Sequence, residues 1–147
     1  MGEIRVKVKL SNYYDEMLHT RGKLAKGKIR TYETDAVVDT GAVRSVIPPY
    51  VLKKLGALAP ETSVASYADG RTEELPISES IGFDVLGRRT QDEAFVLGDE
   101  ILIGQTVLEK LDLLADSRNN RLIPNPAHPD QPVNKLRRRR ERRGKLT

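Results

Sequence analysis

The chain has 147 residues, 38% hydrophobic and 31% charged, with a formal charge of +4, which suits one modest domain whose thin apolar supply association with a partner would supplement. It has no cysteine, which excludes disulfides, thiolate metal sites and a cysteine nucleophile. The charge is unevenly placed: residues 135–147 hold eight basic side chains and one acid, Glu141, a charge of +7 that leaves −3 on residues 1–134.

Ile4, Val6, Val8 and Leu10 alternate with Arg5, Lys7 and Lys9, the period of a half-buried strand and not of a secretory signal. With no cysteine and no apolar run near the roughly 20 residues of a membrane span, the expected location is cytoplasmic. Residues 11–28 are polar, contain Gly22 and Gly27, and read as a loop or loose hairpin. A second extended stretch, 28–38, ends in Val37-Val38 and runs into Asp39-Thr40-Gly41. Residues 42–47 follow, Pro48-Pro49 interrupts regular hydrogen bonding, and 50–55 reads as a short helix closed by Gly56.

From Ser63 onward the pattern is strand and turn. Residues 63–68 and 71–77 flank Asp69-Gly70, a strong hairpin signal. Residues 81–86 and 94–97 read as two strands joined through Gly87-Arg88-Arg89-Thr90, and Ile101-Leu102-Ile103-Gly104 as a short buried strand ending in glycine. Val107, Leu108, Leu111 and Leu114 fall at helical spacing. Arg118-Asn119-Asn120 turns the chain into a last strand, 121–123, stopped by Pro124 and Pro126. The whole predicts a small, mostly-β, barrel-like domain over residues 1–126. Residues 127–147 contain two prolines and then the basic run, with too little apolar surface to offset ordering, and are expected to be a disordered tail.

The chemistry concentrates at Val37-Val38-Asp39-Thr40-Gly41-Ala42. A carboxylate stands between an apolar strand and a glycine, where the chain turns tightly and another backbone or a ligand can come close. On spacing alone the same tripeptide also describes an Asp that caps a turn. Its surroundings, in chain order, resemble those of the retropepsin-like aspartic proteases, particularly their single-domain bacterial members. The resemblance covers roughly residues 29–124. It rests on the Asp39 loop followed by Ser45-Val46-Ile47-Pro48, the hairpin Ala68-Asp69-Gly70-Arg71 in the place of the family's flap, Ile101–Gly104 leading into a helix, and the closing strand from Asp116 to Pro124.

What the resemblance implies is a small closed β-barrel-like retropepsin (acid protease) fold with one short C-terminal helix, working as a homodimer. Asp39 would be the catalytic carboxylate, Thr40 would hydrogen-bond across the dimer, and Gly41 would place backbone beside the substrate. Ala42 and the hairpin residues Tyr67, Ala68, Asp69, Gly70 and Arg71 would contact a peptide bound as an extended strand. Asp-Gly is also a common turn without function. There is no second Asp-Ser/Thr-Gly: Asp69-Gly70 lacks the hydroxyl residue, and Asp116-Ser117-Arg118 lacks the glycine. A two-fold dimer is then the economical way to pair two carboxylates. Retroviral members usually carry an Asp and an Arg where this chain has Val43 and Gln105; those charges pair, so losing both is self-consistent.

His19 and His128 lack neighbouring ligand patterns and read as solvated; no metal or cofactor is expected. Ser45 has no evident His partner, and no glycine-rich phosphate motif occurs. The basic tail at 135–147 is either a solvated charge run or an electrostatic attachment to an anionic partner such as nucleic acid or a membrane surface. Two further functions compete with the endopeptidase: a non-catalytic dimeric peptide-binding module, and a nucleic-acid-associated protein acting through its tail.

Overall fold

The computed structural model describes residues 2–137. In its first strand, β1 (Arg5–Asn12), Val8 and Leu10 are fully buried while Lys7 and Lys9 face solvent, as the alternation requires. The strand runs two residues past the alternation because its polar end has partners. Ser11 Oγ donates to Glu16 Oε2 at 2.6 Å, and Asn12 Nδ2 donates to the Leu55 carbonyl at 2.8 Å.

Asn12 also caps α1 (Tyr13–Thr20), its Oδ1 accepting from Asp15 N–H at 2.9 Å, so a helix stands where the sequence suggests a loop or loose hairpin. This helix is held by charge rather than by an apolar stripe. Arg30 grips the buried Asp15 carboxylate through Nε at 2.8 Å and Nη2 at 2.9 Å, lowering its pKa, and Arg89 pairs with Glu16. A 3-10 turn at Lys26–Lys28 leads to β2 (Thr31–Val38), which lies antiparallel to β1.

Next come β3 (Ser45–Ile47) and α2 (Pro49–Leu55), the latter opened by Pro49 and closed by Gly56 in a left-handed conformation, φ 62°. The hairpin β4 (Glu61–Ser66) and β5 (Thr72–Ile77) follows, then a second, β6 (Ile81–Val85) and β7 (Arg88–Asp92). The chain ends with β8 (Ala94–Val96), β9 (Leu102–Ile103), α3 (Gln105–Leu111) and the hairpin β10 (Leu113–Asp116) and β11 (Arg121–Pro124). Nine strands form one sheet in the order β4-β5-β8-β3-β9-β2-β1-β6-β7, and β10-β11 form a separate pair. The expected mostly-β architecture is present. Among the described residues, however, the sheet is an open, curled half-barrel with β4 and β7 at its ends, not a closed barrel, and α1 joins the two short helices, α2 and α3, that the sequence suggests.

β7 occupies what reads in the sequence as a connection. Its buried ends are polar, Arg88 and Asp92, so hydropathy does not reveal it. Arg88 Nη1 donates to the carbonyls of Leu111 at 3.1 Å and Asp112 at 2.9 Å, and Lys110 Nζ donates to the Gln91 carbonyl at 2.9 Å. Helix α3 therefore packs against β7, the end strand of the sheet, and its Lys110 covers one of that strand's carbonyls.

Helix α3 ends at Leu111, because Asp112 turns left-handed (φ 56°) and the chain reverses into β10, which carries Leu114. The Asp112 carboxylate then collects the segment beyond β11. Oδ1 accepts from Asn125 Nδ2 at 2.9 Å; Oδ2 accepts from Val133 N–H at 3.0 Å and faces His128 Nδ1 at 2.6 Å. His128 is thus a docked, half-buried residue rather than a solvated one, and residues 125–133 are fastened to the domain, where the sequence places the start of a tail. Residues 138–147, most of the basic run, lie outside the described residues.

The core gathers Val8, Leu10, Ile47, Leu55, Ile81, Phe83, Ile103 and Leu108, from strands across the sheet and from α2 and α3. No helix among the described residues is long and apolar enough to cross a membrane.

Candidate active site

In the sheet, β9 lies between β2 and β3, yet β2 and β3 are joined directly by residues 39–44. That connection must arch over the end of β9, where Gly104 stands. A Cβ on Gly104 would come within 2.5 Å of the Arg44 carbonyl carbon and 2.6 Å of its oxygen, main-chain atoms that cannot step aside. This is the physical reason for a glycine after Ile103.

The arch is bonded to what lies beneath it. Gly104 N–H donates to Ser45 Oγ at 2.9 Å, Gln105 N–H to the Ala42 carbonyl at 2.7 Å, and Thr106 N–H to the Val43 carbonyl at 3.0 Å. Gln105 and Thr106 open α3, so their amides have no partner within the helix; the loop's carbonyls cap the helix and the helix fixes the loop. The hydroxyl of Ser45, wholly buried, is a structural acceptor here. Two main-chain bonds, Ala42 with Gln105 and Val43 with Thr106, thus join loop and helix at positions whose side chains carry no charge.

Asp39 sits at the start of the arch. Its N–H donates to the Ile103 carbonyl at 2.9 Å, carrying the parallel β2–β9 pairing one residue beyond Val38. Its Oδ1 accepts from Gly41 N–H at 3.0 Å, and its carbonyl accepts from Ala42 N–H at 3.2 Å. One carboxylate oxygen is therefore oriented by the glycine amide, while Oδ2 has no hydrogen-bond donor among the described residues. Asp39 is half-buried; Thr40 and Gly41 are exposed.

The carboxylate opens onto a groove of about 670 Å³. Val46 pairs with Phe95 on one side and Leu102 on the other, so these three share one face of the sheet. With Leu75 and Leu97 they form an apolar floor. Their strand neighbours Ile47, Val96 and Ile103 point the other way, into the core. This part of the sheet is apolar on both faces, with one face filled and the other open, which marks a ligand surface. Residues 63–67, from β4 and its turn, form the side wall. Arg44 stands at the Asp39 end and Asp99 and Glu100 at the other.

Of the residues that the sequence singles out, Asp39, Gly41, Ala42 and Tyr67 line this groove together. Thr40 lies on the exposed loop tip. Ala68, Asp69, Gly70 and Arg71 form a hairpin tip outside the lining. That tip is closed on itself: Gly70 (φ 89°) donates to the Tyr67 carbonyl at 2.9 Å, and Arg71 pairs with Asp69 at 2.8 Å. The Arg71 guanidinium lies 4.9 Å from the Tyr67 ring centre, and Tyr67 OH donates to Glu73 Oε1 at 2.6 Å, which pushes the phenol's pKa up. Sequence reasoning passes over Arg44, Val46, Leu75, Phe95, Leu97 and Leu102. The signal for some of them was present: Ala94-Phe95-Val96-Leu97 and Ile101-Leu102-Ile103 are unbroken apolar runs, which require cover on both faces of a strand.

Among the described residues, no group of three or more His, Asp or Glu side chains converges as a metal site would. No family model and no curated protein matches the sequence. Among solved structures, the chain is similar to a foamy viral protease–reverse transcriptase in complex with an RNA/DNA hybrid, with a TM-score of 0.47 and 19% identity over 72% of this chain. It spans only 11% of that much longer chain. It is also similar to the solution structure of simian foamy virus (mac) protease, with a TM-score of 0.45 and 17% identity over 71% of this chain and 90% of that one.

Proposed function

We propose that this protein is an aspartic endopeptidase of the retropepsin type, which hydrolyses peptide bonds as a homodimer with a water held between Asp39 and the Asp39 of a second copy. The observation that carries this reading is a clamped carboxylate with one free oxygen at the end of an open apolar groove. One chain offers one such carboxylate. The groove's other acids stand at its far end, four residues of strand from Gly104 to Glu100, or ~13 Å at about 3.3 Å per residue, and Glu100 is engaged by Arg5 at 2.9 Å. A second copy meeting the exposed Thr40–Gly41 tip across a two-fold axis supplies the missing partner.

Two carboxylates in close contact do not both ionise readily, so the pair shares one proton, as is general for aspartic protease dyads. The ionised member takes a proton from the water as it attacks the scissile carbonyl. The protonated member polarises that carbonyl and then passes its proton to the departing amine. The chain's own contribution is position: Gly41 N–H orients Oδ1, and the arch over Gly104 keeps the loop from drifting. The substrate lies extended along the floor of Val46, Phe95 and Leu102, with the β4–β5 hairpin beside it.

The test is cleavage of an unfolded protein mixture between about pH 4 and 7, the range suited to a shared-proton pair, by wild type and Asp39→Asn, with sedimentation of both. Cleavage by wild type alone, with both sedimenting as dimers, is the expected result. Equal cleavage by both variants removes Asp39 from the chemistry, and an active monomer removes the dyad.

A further inference from the structure

We infer that the groove selects a basic side chain at its end remote from Asp39, through Asp99 with Glu100 behind it, so that it takes extended peptides with an apolar centre flanked by Lys or Arg. The inference deepens the endopeptidase reading and rests on it for the position of the cut.

The two ends of the groove differ in charge balance. At the Asp39 end, Arg44 is already neutralised: its Nη1 lies 3.2 Å from Glu93 Oε1 and 3.8 Å from Asp92 Oδ1. At the other end, Asp99 follows Gly98 (φ 75°) on the connection between β8 and β9; it is exposed to the groove and has no cationic partner among the described residues. Glu100 has a partner, Arg5, but Arg5 also holds Glu3 at 2.9 Å. Glu3 and Glu100 thus share one guanidinium while Asp99 has none, so the two acids that line this end of the groove keep a net negative charge. After Tyr32 and burial, the same two acids add to the upward shift of the Tyr50 phenol.

Between these ends the floor is apolar and offers nothing to a charged side chain. An extended peptide advances about 3.3 Å per residue, so the residue that reaches Asp99 lies about four positions from the scissile bond. Lys and Arg suit the place, because their stems can lie along Leu97 while the cation reaches the carboxylates. In a two-fold dimer each half-groove ends in its own Asp99, so both flanks of the substrate are read alike.

The experiment uses two fluorescent peptides with one apolar centre, carrying either Lys or Glu four residues to each side of the intended cut. Binding is titrated with Asp39→Asn, which needs no catalysis, and cleavage is followed with wild type. At low salt the Lys peptide should bind about fivefold more tightly, the scale of an exposed ion pair, and the ratio should approach one as salt screens it. Asp99→Asn on the Asp39→Asn background should level the two peptides, and Asp99→Lys should reverse them, an outcome that misfolding does not produce. Equal binding of the two peptides overturns the inference even if wild type cuts both. A salt-sensitive Lys preference that Asp99→Lys reverses, with neither peptide cut by wild type, upholds the subsite and counts against the hydrolase.

Discussion

Two loops frame the groove, and they are built in opposite ways. The Asp39 loop takes its bonds from β9 and α3; its Ser45–Gly104 contact joins residues 59 apart in sequence. The Tyr67–Arg71 tip bonds within itself, and its longest reach is six residues, from Tyr67 to Glu73. The first is fixed only once the sheet is complete; the second can form, and move, on its own. On the proposed reading, the loop for chemistry thus draws its rigidity from distant elements, while the hairpin for cover keeps local bonds that let it open.

The strongest attempt to break this contrast is Gly104→Ala. The new Cβ meets Arg44 main chain at 2.5 Å, and we expect a loss of about 3 kcal/mol, read as a lower denaturant midpoint; an unchanged midpoint would show that the arch is loose. Ser45→Ala removes the acceptor of a buried amide and should cost about 2 kcal/mol by the same measurement, with peptidase activity reduced further than stability predicts.

A smaller effect tests whether the far end of α3 belongs to the same rigid unit. Asp112 is lowered from 3.8 to about 2, chiefly by Asn125 and then by Val133 N–H and His128. Its charge therefore stabilises the fold above pH 3.8, and that contribution drains away as pH falls to about 2. Thermal melts should show a steeper loss across this window in wild type than in Asp112→Asn. The smallest expected effect is Arg71→Ala. The side chain is exposed and its ion pair local, so stability should change by less than about 0.5 kcal/mol, and any loss of activity should appear as a raised KM.

The sequence makes the Asp39 loop and the strands around it legible because apolar alternation and glycine placement have direct geometric causes. Alternation gives Val8 and Leu10, the apolar run gives Ile101–Ile103, and Gly56 marks the end of α2. What it hides is polar. Helix α1 has its Asn12 cap and early Asp15 as signals, yet it is anchored by Arg30, fifteen residues beyond Asp15. Strand β7 buries Arg88, which is satisfied by carbonyls of α3 and the chain beyond it, and Asp92, whose Oδ1 is held by Lys110 of α3 while Oδ2 has no partner among the described residues. The groove floor was half visible, since its residues read as core and only the strand order shows which face of them is left open.

The joint between the Asp39 loop and α3 is written almost wholly in main-chain atoms: the carbonyls of Ala42 and Val43 meet the amides of Gln105 and Thr106. Main-chain bonds do not depend on which side chain a residue carries. Positions 42, 43, 105 and 106 can therefore change to any residue but proline, and even exchange charge for apolar surface, while the carboxylate stays where it is. Position 104 has no such latitude. In a saturation library selected for folding, the seam should stand out as four permissive sites around one that accepts only glycine.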